Sequence, residues 1–168
     1  MRSLVLDMVE SIKKNIFTLI LILVIFSLDR ISKLIVLNFE KLNGAKNYAV
    51  TSFLNFELIW NKGIAFGLLS FDKVIFYHII TIIIIMIVIF LMFLLTKSHG
   101  LEKYSYIFII GGALGNLYDR IYYKAVPDFI DFHINNFHWF IFNIADIFIT
   151  VGVLYLICVE IFIKKSDD

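Results

Sequence analysis

The sequence predicts an all-α polytopic membrane protein, with four transmembrane helices carrying a small β-rich platform at one membrane surface. Of 168 residues, 61% are hydrophobic and only 17% charged, with a mean hydropathy of +0.90. That is more apolar side chain than a globule of this size can hide from water, so lipid must solvate much of it. The apolar residues fall into four runs, each near or beyond the ~20 residues that cross a ~30 Å hydrocarbon core. The runs are continuous rather than alternating in segments of about ten residues, which argues against a transmembrane barrel, even for the isoleucine-rich stretch Ile79 to Phe90.

Composition excludes other classes. A single proline is incompatible with a collagenous or proline-rich chain, and the lone Cys158 permits neither an intrachain disulfide nor a cysteine-rich zinc site. Fifteen basic residues against fourteen acidic ones give a net charge of +1, so there is no broad attraction to nucleic acid.

The elements follow in order. Met1 to Asn15 is mixed in charge and reads as a short amphipathic or irregular tail. The first span is expected from Phe17 to Leu37; it is too long for a signal-peptide core, carries Asp29 and Lys33, and lacks a small-x-small cleavage pattern, so it is expected to be retained. Asn38 to Lys73 is the long non-spanning piece, whose alternation at Tyr48, Val50, Phe53, Leu54, Phe56 and Leu58 suggests short surface strands. Within it Gly63 and Gly67 flank Ile64, Ala65 and Phe66 and suggest a close backbone approach near the interface. The second span is expected from Val74 to Leu95, followed by a polar turn, Thr96 to Lys103. The third runs from Tyr104 to Tyr118, with an extension toward Tyr122, and the fourth from Phe140 to Ile163. Between them, Tyr123 to Trp139 is a loop with Pro127, extended or turned at the mouth of the bundle. Four spans place both termini on one side and the first and third connections on the other. Seven basic residues on one side and eight on the other leave the positive-inside rule without a preference.

Polar residues inside these runs are the functional signal. Asp29 and Lys33 lie one helical turn apart and fit equally an interfacial pair ending the span or support for a site. In the third run Gly111 and Gly115 form a small-x-x-x-small step for close helix packing. Gly112, Asn116 and Asp119 share a face, and the polar members, with Arg120, should point into the bundle or to a wet edge. Asp128 alone would read as a solvated loop carboxylate. Asp146 lies at the start of an apolar helix, one turn from Asn143 and one from Thr150, where an ionisable residue is a functional candidate by default. The 18 residues from Asp128 to Asp146 let the loop return to the helix mouth, so both carboxylates can meet there. Two close carboxylates do not readily both ionise. One can take a proton from an attacking water while the other hydrogen-bonds the scissile carbonyl, which is general acid/base amide hydrolysis without a covalent intermediate.

Other chemistries lack residues. His78, His99, His133 and His138 are scattered in sequence and no H-E-x-x-H occurs, so no zinc protease is expected; His133 and His138 read as loop or interface residues. No serine sits in a G-x-S-x-G; Ser70 and Ser98 read as caps or turns, and Cys158 as an apolar packing residue. A small transporter would distribute its carboxylates through membrane depth and usually repeat itself, and a noncatalytic assembly factor would not need both Asp128 and Asp146.

Five segments together resemble the lipoprotein signal peptidase family, signal peptidase II, over nearly the whole chain. They are Asp29 to Lys33, Asn61 to Gly67, Gly111 to Arg120, Asp128 to Asp131 and Phe142 to Asp146. The resemblance implies that Asp128 and Asp146 are the catalytic aspartates. It also implies that Asn116, Asp119, Arg120 and Asn143 line or brace the site, with Asp29, Lys33, Asn61 and Gly63 completing its polar signature. Ile64, where alanine is frequent, and Pro127, where a small or branched residue is commoner, depart from the pattern without removing a proton-transfer group. The implied architecture is a single peptidase domain over residues 1–168. It has four helices, an extracytoplasmic cradle over residues 38–73 and a short surface helix, in the bacterial cytoplasmic (inner) membrane with both termini cytoplasmic. The implied activity is intramembrane aspartic endopeptidase cleavage of diacylglyceryl-modified prolipoproteins just before the lipidated cysteine. No metal or cofactor is implied; membrane lipid surrounds the enzyme, globomycin-like cyclic peptides are candidate inhibitors, and a monomer is expected.

Overall fold

The computed structural model describes residues 2–44, 47–63, 74–135 and 137–163. Its elements are α1 (Arg2–Asn43), β1 (Asn47–Ala49), β2 (Leu54–Asn61), α2 (Val74–Lys97), α3 (Glu102–Tyr123), β3 (Val126–Ile134), β4 (Phe137–Phe142) and α4 (Ile144–Cys158). A π-helical turn, Val159–Ile163, extends α4. The strands form one antiparallel sheet in the order β1-β2-β3-β4.

Helix α3 is the centre of the bundle and packs against the other three, most extensively against α4. Its small residues make this possible. A Cβ on Gly112 would lie 2.5 Å from the backbone oxygen of Ala145, and one on Gly152 of α4 would lie 2.9 Å from the backbone oxygen of Ser105. The two helices therefore meet backbone to backbone at both levels. On the other side, Gly111 receives Ile25 of α1, beside the core of Ile22, Ile25, Tyr106, Ile107 and Ile110. Outward, large apolar side chains are exposed along α1, α2 and α4, among them Leu23, Leu34, Ile82, Phe90, Phe93, Leu154 and Ile157. Tyr77–Lys97 and Ile144–Phe162 are each long and apolar enough to cross a membrane, with only 11% and 22% of their most apolar windows buried inside the protein. Helices so little covered by protein need an apolar solvent.

Two expectations change at the ends of the first and fourth spans. Residues before Asn15 are not an irregular tail: α1 is continuous from Arg2, because no glycine or proline interrupts residues 2–43 and Glu10 pairs with Lys14 at 2.8 Å, one turn apart. At about 60 Å, the helix is far longer than a bilayer core. The fourth helix begins at Ile144 rather than Phe140, since Phe137–Phe142 is strand β4 and Asn143 caps the helix. The third helix takes the longer of its two readings and ends at Tyr123, where Lys124 adopts a left-handed conformation (φ 61°).

The platform differs from the expected residues 38–73: residues 38–43 complete α1, residues 64–73 lie outside the described residues, and β3 and β4 of the third connection join β1 and β2 in the sheet. β2 pairs with β3 from Leu54↔Phe132 to Asn61↔Val126, so the third connection, expected as a loop, supplies half the sheet. Pro127 is tolerated in β3 because the pairing with β4 extends only from Ile130 to Ile134. Since the sheet joins both connections, they lie at the same end of the bundle. Gly67 with its flanking Ile64 to Phe66, and Ser70, lie outside the described residues, and the described part of the first connection contains no short surface helix.

Candidate active site

The sheet and the start of α4 converge on two buried aspartates. Asn143 is extended (φ −130°, ψ −179°) and caps α4: its side chain accepts from the Asp146 amide at 3.1 Å, while the Asp146 carboxylate accepts from the Asn143 amide at 3.2 Å. This reciprocal box requires an amide-bearing cap and an acid three residues later, which is what Asn143-Ile144-Ala145-Asp146 supplies. The helix end favours negative charge there. The other Asp146 oxygen accepts from Asn116 of α3 at 2.8 Å, a contact set by the glycine-mediated approach of α3 to α4.

Asp128, in β3, is 2% exposed. Its Oδ2 accepts from Asn61 at the end of β2 (2.9 Å) and its Oδ1 from Asn143 (2.6 Å). Asn143 therefore holds both aspartates, one by its side chain and one by its backbone. Burial, foremost, and the charge of Asp146 push the Asp128 carboxyl up to about 7; hydrogen bonds from Asn61 and Asn143 and the charge of Lys33 oppose the rise.

Behind the aspartates lies a compensated charge cluster. Lys33 is fully buried and directs its three ammonium hydrogens to Asp29 (2.9 Å), Asp119 (2.7 Å) and Asn116 (2.9 Å). Arg30 grips Asp119 through both guanidinium nitrogens, at 2.6 and 2.8 Å. Asp29 accepts the Ala145 amide at 3.1 Å, satisfying one of the unpaired amides at the start of α4. It packs where a Cβ on Gly115 would overlap its carboxylate. Two acids and two bases thus balance, and Asn116, which accepts from Lys33 and from Asn143 (3.2 Å), links the cluster to the aspartates.

Arg120 faces away from this cluster. It donates to the carbonyl of Gly63 at 2.7 Å, and the Gly63 amide donates to Asn61 at 2.8 Å, so Arg120 fixes the loop that presents Asn61 to Asp128. Tyr77 of α2 donates to the Arg120 carbonyl at 2.6 Å. All ten residues singled out from sequence, namely Asp29, Lys33, Asn61, Gly63, Asn116, Asp119, Arg120, Asp128, Asn143 and Asp146, belong to this connected network. Sequence reasoning noted Arg30 beside Asp29 and Lys33 without giving it a role in the site, and it missed Tyr77, whose hydroxyl in an apolar helix left no signal.

A cavity of about 270 Å³ opens beside Asp146 and is lined by Trp139, Phe142, Asp146, Ile147, Thr150 and Val151. It offers one carboxylate at the edge of an apolar wall on α4, where a peptide bond with a greasy neighbour could rest.

The family profile described as Signal peptidase (SPase) II matches residues 21–162. The lipoprotein signal peptidase of Pelagibacter ubique (strain HTCC1062) is 49% identical over 160 residues, covering 94% of this chain and 96% of that protein. The lipoprotein signal peptidase of Francisella tularensis subsp. novicida (strain U112) is 42% identical over 127 residues, 73% of this chain and 79% of that one. Two solved structures, each described as a bacterial membrane enzyme, superpose with TM-scores of 0.70 and 0.69 at 31% and 29% identity. They cover 90% and 88% of this chain, and 91% and 94% of theirs.

Proposed function

This chain belongs to the signal peptidase II family, and from that premise we propose that Asp128 and Asp146 are the catalytic pair of its aspartic endopeptidase activity. The protein is a multi-pass membrane enzyme that removes the signal peptide from diacylglyceryl-modified bacterial prolipoproteins, immediately before the lipidated cysteine. The observation that carries the assignment is electrostatic. Among the described residues the buried charges Asp29, Lys33 and Asp119 and the partly buried Arg30 neutralise one another. The acceptors of Asp128 and Asp146 are instead met by neutral amides. Two adjacent carboxylates held by neutral donors can exchange protons with a substrate, whereas carboxylates locked in ion pairs cannot do so without breaking the pair.

In this reading the pair shares one proton at the start. The ionised carboxylate takes a proton from water as the water oxygen attacks the scissile carbonyl carbon, and the protonated carboxyl passes its proton to the carbonyl oxygen. The tetrahedral diol then collapses: one carboxyl protonates the departing nitrogen of the lipidated cysteine, the C–N bond breaks, and the other carboxylate recovers the diol proton. The dyad ends with the single proton it began with. No cofactor enters this balance.

Asn61, Asn116 and Asn143 act as positioning residues, Arg120 with Gly63 anchors the loop bearing Asn61, and Asp29, Lys33 and Asp119 brace α1 and α3 behind the site. We read residues 1–168 as one peptidase unit. Its sheet is a cradle on the extracytoplasmic side and both termini are cytoplasmic. The diacylglyceryl group would remain in lipid against the apolar wall beside Asp146, so the substrate enters laterally. A monomer suffices for this chemistry, and globomycin-like cyclic peptides would compete for the same mouth.

The decisive experiment is cleavage of a purified diacylglyceryl-modified prolipoprotein by wild type, Asp128→Asn and Asp146→Asn, with an unlipidated substrate alongside. Each variant should fold and lose about 10³-fold or more in rate, on the scale of a removed acid or base, and the unlipidated substrate should be cut poorly. Retained cleavage in either folded variant rejects the dyad.

A further inference from the structure

The histidines that are scattered in sequence are not all scattered in space. His133 of β3 and His138 of β4 are cross-strand partners whose rings stack with centroids 5.1 Å apart. Asp131, two residues before His133 on the same strand, reaches between them. Its Oδ2 is 2.8 Å from His138 Nδ1 and 3.8 Å from His133 Nδ1. The i, i+2 spacing along β3, and a register shift in the β3–β4 pairing between Asp131 and His133 that sets His138 rather than Trp139 opposite His133, bring the three side chains together. One donor atom from each residue lies within 4.8 Å of the other two.

Asp131 is fully buried, yet its Oδ1 has no hydrogen-bond partner among the described residues, and neither does the buried Nδ1 of His133. Buried polar atoms are ordinarily satisfied. An ion bound across both oxygens of the Asp131 carboxylate and His133 Nδ1 would satisfy both, and the half-exposed side chain of His138, hydrogen-bonded to Asp131 Oδ2, leaves an approach from solvent.

We propose that Asp131, His133 and His138 form a binding site for a zinc-like divalent transition-metal ion, separate from the aspartate pair. Two imidazoles and a carboxylate suit zinc rather than magnesium or calcium, which prefer oxygen ligands. Ligands at about 2.0–2.1 Å around a tetrahedral ion are separated by roughly 3.3 Å. The observed separations of 2.8 and 3.8 Å straddle that value, so small side-chain rotations close the site and leave a fourth position for water. Asp128 lies three residues earlier on β3 and, by strand alternation, faces the opposite side. The ion would therefore clamp β4 to the strand that carries Asp128 without touching the reacting groups.

The test uses the full-length, chelator-stripped protein in detergent, titrated with zinc chloride against a chromophoric zinc indicator. Wild type should take up one equivalent and melt several degrees higher with zinc present. His133→Gln and His138→Gln should each weaken uptake at least tenfold and lose the melting shift, and cobalt(II) should give visible ligand-field bands that vanish in the same variants. If His133→Gln fails to fold, the more exposed His138→Gln decides. Absence of stoichiometric uptake by wild type overturns the site. So does uptake that persists in the folded histidine variants, or that is abolished by Asp128→Asn instead.

Discussion

Asp128 keeps its proton far above the pH at which an exposed aspartate releases it, and this has two consequences of opposite sign. For stability, the folded chain retains between about pH 4 and about 7 a proton that the unfolded chain has already lost. Stability therefore falls as pH rises through that window and levels off above it. Asp128→Asn removes the titration while keeping hydrogen-bonding atoms, so at pH 8 the variant should melt several degrees above wild type, with the difference shrinking toward pH 4; thermal melts in detergent across that range check it. For activity, a dyad that needs one shared proton should lose kcat/KM as pH rises beyond about 7, measured with the lipidated substrate. A wild-type profile flat from pH 6 to 9 would contradict the shared-proton reading. At this scale the sequence was unusually legible: buried polar residues are so costly inside apolar runs that Asp29, Lys33, Asn116, Asp119, Arg120 and Asp146 stood out from their surroundings. Tyr77 did not, because an aromatic hydroxyl is compatible with an apolar run, and neither did the partnership of Asp131 with His133 and His138, because it depends on strand register.

The helices were readable as elements because each is a continuous apolar run, but their ends were not, because ends are decided by capping and by pairing with distant segments. Asn143 is both the cap of α4 and the donor to Asp128, so one residue fixes where the helix starts and where the catalytic candidates meet. The strands β3 and β4 were masked in sequence by Pro127 and by the aromatic cluster near Trp139; only pairing with β2 reveals the sheet. The packing of α3 on α4 carries its own prediction. A methyl group at Gly112 would meet the carbonyl oxygen of Ala145 at 2.5 Å and the Ile149 side chain at 2.9 Å. The obstructing atom is backbone, so the helices must part. Gly112→Ala should cost about 1–3 kcal/mol, the scale of overpacking. It should also lower prolipoprotein cleavage by tenfold or more, because Ala145 immediately precedes Asp146 and Asn116 must reach across the same seam. Denaturation and cleavage assays on the same preparation separate the two effects; full activity with unchanged stability would mean that the seam yields without disturbing the site.

At the scale of the whole molecule, the four helices expose apolar surface while the polar network is gathered near the sheet, so the protein is asymmetric along the membrane normal. Charge does not orient it, since basic residues are nearly equal on the two sides. The proposed function supplies the expectation instead: on the reading that Asp128 and Asp146 are the dyad and the sheet is the extracytoplasmic cradle, the site opens at the outer surface. Lys62, exposed beside the end of β2, and His99, exposed in the α2–α3 turn, sit at opposite ends of the bundle and report its orientation. The exposed Cys158 is first replaced by alanine to leave a single-cysteine background. In intact cells with a permeable outer envelope, a membrane-impermeant maleimide should label Lys62→Cys, whereas His99→Cys should react only after the inner membrane is opened. The reverse pattern would place the sheet and both aspartates on the cytoplasmic side and overturn the proposed orientation. Because Lys62 adjoins Gly63, whose carbonyl is held by Arg120, maleimide labelling there should also depress cleavage, tying the orientation to the site in a single sample.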